Sequence, residues 1–115
     1  MIKIIVALLA VFAFSTNAFA GFDGPRDMPK EVTVDSISDM KDDTKVIIKG
    51  YIVEQINEEH YLFKDDTGNV EVDIEDQVFR GLNVTPETQI RLRGEVDKDL
   101  WEAASVDVDY LEIVE

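Results

Sequence analysis

Along most of this chain apolar and polar side chains trade places every second residue, the pattern of strands that bury one face and wet the other. Val46, Ile48, Gly50 and Ile52 alternate with Ile47, Lys49, Tyr51 and Val53, predicting a long first strand. Tyr61 and Phe63 point one way and Leu62 and Lys64 the other in a second. Val70, Val72 and Ile74 set inward against Glu71, Asp73 and Glu75 outward make the cleanest alternation, the third strand. Between these two, Asp65-Asp66-Thr67-Gly68-Asn69 reads as a tight turn, with Gly68 free to take a positive φ. Ile90, Leu92, Gly94 and Val96 alternate with Arg91, Arg93 and Glu95 as a fourth strand, and Val106, Val108 and Tyr110 carry a fifth. Its parity slips at Leu111 and Ile113, which predicts a bulge or a change of sheet. Glycines inside the first and fourth strands mark bends.

Two segments carry a helical period instead. Val34, Ile37 and Met40 recur at three-residue spacing behind Thr33, a residue suited to capping a short helix. Asp76 to Leu82 predicts one or two turns, with Asp76 as cap and Val78, Phe79 and Leu82 along the apolar side. Five antiparallel strands, a helix between the third and fourth and a short helix ahead of the first describe an all-β fold: a five-stranded Greek-key OB-fold barrel. An SH3-like small barrel is the main competitor, and the helical signal at Asp76 to Leu82 argues against it.

The N-terminal region follows neither period. Lys3, an apolar run from Ile4 to Phe14 and the small-x-small ending Ala18-Phe19-Ala20 predict a signal peptide over residues 1–20. The run is shorter than the roughly 20 apolar residues that cross a bilayer. Residues 21–32, with Gly21, Gly24, Pro25 and Pro29, are expected to form a flexible leader, and residues 33–115 the barrel domain. The expected location is the periplasm, with no membrane span after cleavage. A chain of 115 residues allows one core. Without cysteine, that core holds the fold unaided. The formal net charge of −14 repels a phosphate backbone, so nucleic acid is not an expected partner.

Taken in order, Gly21-Phe22-Asp23-Gly24-Pro25, Gly50-Tyr51-Ile52-Val53-Glu54, Tyr61-Leu62-Phe63-Lys64-Asp65, Val84-Thr85-Pro86 and Gly94-Glu95-Val96-Asp97-Lys98-Asp99 resemble the YgiW/YdeI family of bacterial OB-fold (BOF) proteins. The resemblance runs through the whole segment after residue 20 and implies a small exported stress-tolerance protein with no catalytic residues to carry over. The chain departs from the family at Phe79, where tryptophan is frequent, and at Leu100, which separates Lys98-Asp99 from Trp101.

Candidate chemistry points the same way. His60 is the only imidazole, and Ser36, Ser38 and Ser105 lie outside any G-x-S-x-G elbow, so no enzyme is expected. Asp65, Asp66, Glu71, Asp73, Glu75 and Asp76 lack the D-x-D-x-D-G spacing of a calcium loop and read as a solvated acidic face, with no metal or cofactor. OB-folds take ligands over strands two and three and the adjoining loops. Among the outward positions on the first three strands, Lys49, Tyr51, Lys64, Glu71 and Asp73, with Trp101 in the last loop, are the candidate binding residues. One aromatic and two lysines among carboxylates suit a small zwitterion, a sugar or a basic peptide. The expected function is non-enzymatic binding of a small or cationic ligand. The alternatives are an acidic module docking a basic patch on another envelope protein and, more weakly, a carboxylate- or metal-dependent enzyme.

Overall fold

The computed structural model describes residues 28–115. They form six strands, β1 (Lys30–Glu31), β2 (Lys45–Gln55), β3 (His60–Asp65), β4 (Gly68–Ile74), β5 (Ile90–Asp97) and β6 (Ser105–Ile113). A 3₁₀ helix, Val34–Asp39, precedes β2, and the single-turn helix α1, Asp76–Phe79, links β4 to β5. The expected signal peptide and most of the 21–32 segment lie outside the described residues.

Strands β2, β3, β4, β6 and β5 pair in that order and β5 returns to β2, closing a barrel. The β4–β6 pairing is parallel and the other four in the ring are antiparallel, the Greek-key wiring expected of an OB-fold. Closure depends on β2 changing partner midway. Lys45 to Gly50 pair with β5, and Tyr51 onward pair with β3. At the junction a Cβ on Gly50 would collide with the Lys64 carbonyl oxygen, so only glycine lets the strand bend so tightly. Gly94 makes the same close approach to the Asp107 carbonyl on the opposite wall.

The half of β2 that β3 does not reach is covered by β1. It runs parallel to β2, with Lys30 opposite Val46 and Glu31 opposite Ile47, and Val32 N–H donates to the Ile47 carbonyl at 2.9 Å. These residues fall within the segment expected to be a flexible leader, so at least its end is built into the sheet. Covering an open strand edge removes a template for unwanted pairing.

Inside the ring, Ile48, Phe63, Val72, Ile74, Ile90, Leu92, Val106 and Leu111 are completely shielded, and among the described residues no polar or charged one is buried with them. The 3₁₀ helix closes one side with Val34 and Ile37; three-residue spacing is the repeat of this helix type. Thr33 holds the N-cap position as expected, but its hydroxyl makes no capping hydrogen bond and donates to Asp35 Oδ1 at 2.6 Å instead. The β3–β4 turn supplies the cap: Val34 N–H donates to Asp65 Oδ2 at 3.0 Å and Asp35 N–H to Thr67 Oγ1 at 3.0 Å. Helix α1 is shorter than the expected Asp76 to Leu82 and starts from Glu75, not Asp76, as its N-cap. It ends where Arg80 enters the left-handed region at φ 50°. Its Phe79 ring meets Tyr61 edge-on at 5.7 Å.

The parity slip in the last strand is a bulge. Gly94 pairs with Val108 but Arg93 with Tyr110, leaving Asp109 as the extra residue. Tyr110, expected inward, therefore faces out, where the guanidinium carbons of Arg80 and Arg93 lie 4.8 and 5.2 Å from its ring centroid. Among the described residues no helix is long and apolar enough to cross a membrane.

Candidate functional site

Alternation along β2 sends Lys49, Tyr51 and Val53 to the outer face, and the β2–β3 register sets Tyr51 directly opposite Lys64. Three of the expected binding residues, Lys49, Tyr51 and Lys64, thus share one patch. The loop leading into β5 completes it. Thr88 N–H donates to the Thr85 carbonyl at 2.9 Å, Thr85 N–H to Thr88 Oγ1 at 3.1 Å and Glu87 N–H to Thr85 Oγ1 at 3.2 Å, a compact turn that stands Pro86 and Glu87 beside Tyr51.

The result is two adjoining grooves that share Tyr51 as a wall. The larger, about 500 Å³, lies among Tyr51, Val53, Lys64, Asp66, Pro86 and Glu87. The smaller, about 300 Å³, lies among Thr33, Lys49, Gly50, Tyr51, Asp66 and Gln89. Both fall in or near the size range of small-molecule sites.

Asp65 lines both grooves, but its oxygens are committed. Burial raises the cost of charging this carboxyl; hydrogen bonds from the Thr67 hydroxyl and from the N–H groups of Val34, Thr67 and Gly68 outweigh it and hold the group below the usual carboxylate range. Asp65 is therefore a fixed negative charge that fastens the hairpin to the 3₁₀ helix. The side chains of Asp66, Lys49 and Lys64 form no hydrogen bond or ion pair among the described residues. Neighbouring bases on β2 and β5 are matched: Lys45 with Glu95 at 3.1 Å, Arg91 with Glu112 at 2.8 Å and Arg93 with Asp109 at 2.9 Å.

Glu71 and Asp73 belong elsewhere. The register aligns His60, Asp73, Asp107, Glu95 and Lys45 as one row across five strands. His60 Nε2 lies 3.7 Å from Asp73 Oδ2 and 4.0 Å from Glu71 Oε2, while Nδ1 is 2.6 Å from Asn57 Oδ1. Partial burial against the sheet, then the charges of Asp73, Asp97, Glu95 and Glu75, push the Asp107 carboxyl above its ordinary range. Among the described residues no group of three or more His, Cys, Asp or Glu is arranged to hold a metal ion.

Glu71 also lines a third groove, about 330 Å³, with Val34, Asp35, Ser38 and Glu102. Trp101 lies at the tip of the β5–β6 loop, 89% exposed beside Leu100 at 90%, and caps no part of the core. Of the serines weighed as nucleophiles, Ser36 donates its hydroxyl to the Thr33 carbonyl at 2.6 Å.

Asp66, Pro86 and Glu87 are the groove residues that sequence reasoning missed. Thr-Pro-Glu-Thr is legible as a turn, but its place beside β2 depends on contacts between segments distant in sequence.

Known proteins share this architecture and much of this sequence. The family model described as bacterial OB fold (BOF) protein matches residues 12–113. The chain is 36% identical over 110 residues to the calcium-regulated OB-fold protein CarO of Pseudomonas aeruginosa, covering 96% of this chain and 93% of that one. It is 40% identical over 117 residues to protein YgiW of Escherichia coli, covering 90% and 89%. The solved structure of the hypothetical protein YgiW from E. coli superposes with a TM-score of 0.71 over 83% of this chain and 99% of that one. With a closed five-strand ring, a family match along nearly the whole sequence and relatives aligned end to end, this chain belongs to the bacterial OB fold (BOF) family.

Proposed function

We propose that this protein is an exported, periplasmic, non-enzymatic binding module that contributes to envelope stress tolerance by holding a small ligand over β2 and β3. The observation that carries the reading is the unmatched state of the Lys49, Lys64 and Asp66 side chains around Tyr51, while the neighbouring bases Lys45 on β2 and Arg91 and Arg93 on β5 are paired. Charged side chains left without partners beside an aromatic ring and a groove of about 500 Å³ offer a ligand both polar anchors and an apolar surface. Addition of a small-molecule extract of the cell envelope to isotopically labelled protein tests it. Amide resonances of Lys49, Tyr51 and Lys64 are expected to shift, and Tyr51→Ala is expected to abolish the shifts while the rest of the spectrum persists. Shifts confined to other faces, or none, would reject the site.

A second reading rests on the acidic row from Asp73 to Glu95, which offers a basic patch on another envelope protein several carboxylates in line. Capture of such a partner at low salt, lost at high salt and on Asp107→Asn, would favour docking; unchanged capture would remove it.

A further inference from the structure

We infer that the ligand of the larger groove is a zwitterion of amino-acid type: an ammonium and a carboxylate carried on an apolar or ring-bearing body. The inference rests on the binding reading above and narrows it to a chemical class.

The groove presents charge of both signs at different places on its rim. Lys64 stands on β3, directly across from Tyr51, and its side chain is exposed with no ion-pair or hydrogen-bond partner among the described residues. Asp66, two residues further along the same hairpin, is equally unmatched, and the two do not pair with each other although both line the groove. Glu87 faces them from the Pro86 loop, steadied by the Thr85 hydroxyl at 3.3 Å. Tyr51, Val53 and Pro86 give the same groove an apolar lining beside these charges.

A ligand bearing only positive charge would meet Asp66 and Glu87 favourably but leave Lys64 facing a like charge. An anion would satisfy Lys64 and be repelled by both carboxylates and by the neighbouring Asp65 carboxylate. A molecule with both groups answers all of these at once, and its body covers the tyrosine, whose ring face also attracts an ammonium group. Lys49, on the far side of Tyr51 in the smaller groove, adds a second positive charge that disfavours a pure cation there.

Three probes of one size separate the possibilities: L-phenylalanine, which carries both charges, phenethylamine, which lacks the carboxylate, and 3-phenylpropionate, which lacks the ammonium. Titrations followed by amide resonances of the full protein measure each affinity at Tyr51, Lys64 and Glu87. L-phenylalanine is expected to bind at least about tenfold more tightly than either analogue, a preference equal to about 1.4 kcal/mol. Lys64→Gln should reduce it to the level of phenethylamine, and Asp66→Asn with Glu87→Gln to the level of 3-phenylpropionate, with unchanged melting temperatures. Phenethylamine binding at these residues as tightly as L-phenylalanine would overturn the zwitterion while leaving small-ligand binding in place. Failure of all three probes to shift any groove resonance would overturn the groove as a small-ligand site altogether.

Discussion

Gly50 carries more structural constraint than its size suggests. It sits where β2 leaves β5 for β3, and any side chain there meets a backbone oxygen that cannot swing aside. Gly50→Ala should destabilise the barrel by about 1–3 kcal/mol in chemical denaturation, the range for forcing extra atoms into a packed site. A change within error would show that the strand can bend elsewhere. Asp107 makes the opposite kind of prediction. Its carboxyl is pushed up in the folded state, so folding penalises the charged form; as pH falls through the raised value, the native chain takes up a proton first and gains stability. Asp107→Asn should therefore raise the melting temperature at neutral pH, with the gain fading as the medium becomes acid enough to protonate the unfolded chain's aspartates. Asp65 behaves in reverse: its lowered carboxyl contributes stability that is lost as pH falls through the folded-state value.

Among the elements, β1 makes the least expected contribution. Two charged residues, Lys30 and Glu31, form it without any apolar alternation, because what they supply is backbone hydrogen bonding to the uncovered half of β2. Val32→Pro removes the N–H that donates to the Ile47 carbonyl, leaves that oxygen unmatched and should cost about 1–3 kcal/mol by thermal or chemical unfolding. An unaltered melting curve would mean that the edge needs no cover. The same distinction governs what could be read from sequence. The β3–β4 hairpin and the bulge in β6 were legible because side-chain parity records which face is buried. Lys49, Tyr51 and Lys64 were legible as one outward patch for the same reason. Parity is silent on β1, on the hairpin residues that cap the 3₁₀ helix and on the loop that brings Pro86 and Glu87 to Tyr51, because these depend on contacts between segments distant in sequence.

At the scale of the molecule, the described residues form one dry apolar centre and an outer wall divided by charge. Acids and bases pair on the β5–β6 side, carboxylates accumulate in the row through Asp107, and unmatched groups of both signs collect around Tyr51. This sorting of charge around one aromatic groove is the basis of the proposed binding site. Native mass spectrometry of the protein purified from its own envelope, with wild type and Tyr51→Ala side by side, tests this most directly. The wild type is expected to retain a small-molecule mass that Tyr51→Ala loses, with the same charge-state distribution for both proteins. Equal retention by the two proteins, or no bound mass on the wild type, would contradict the account.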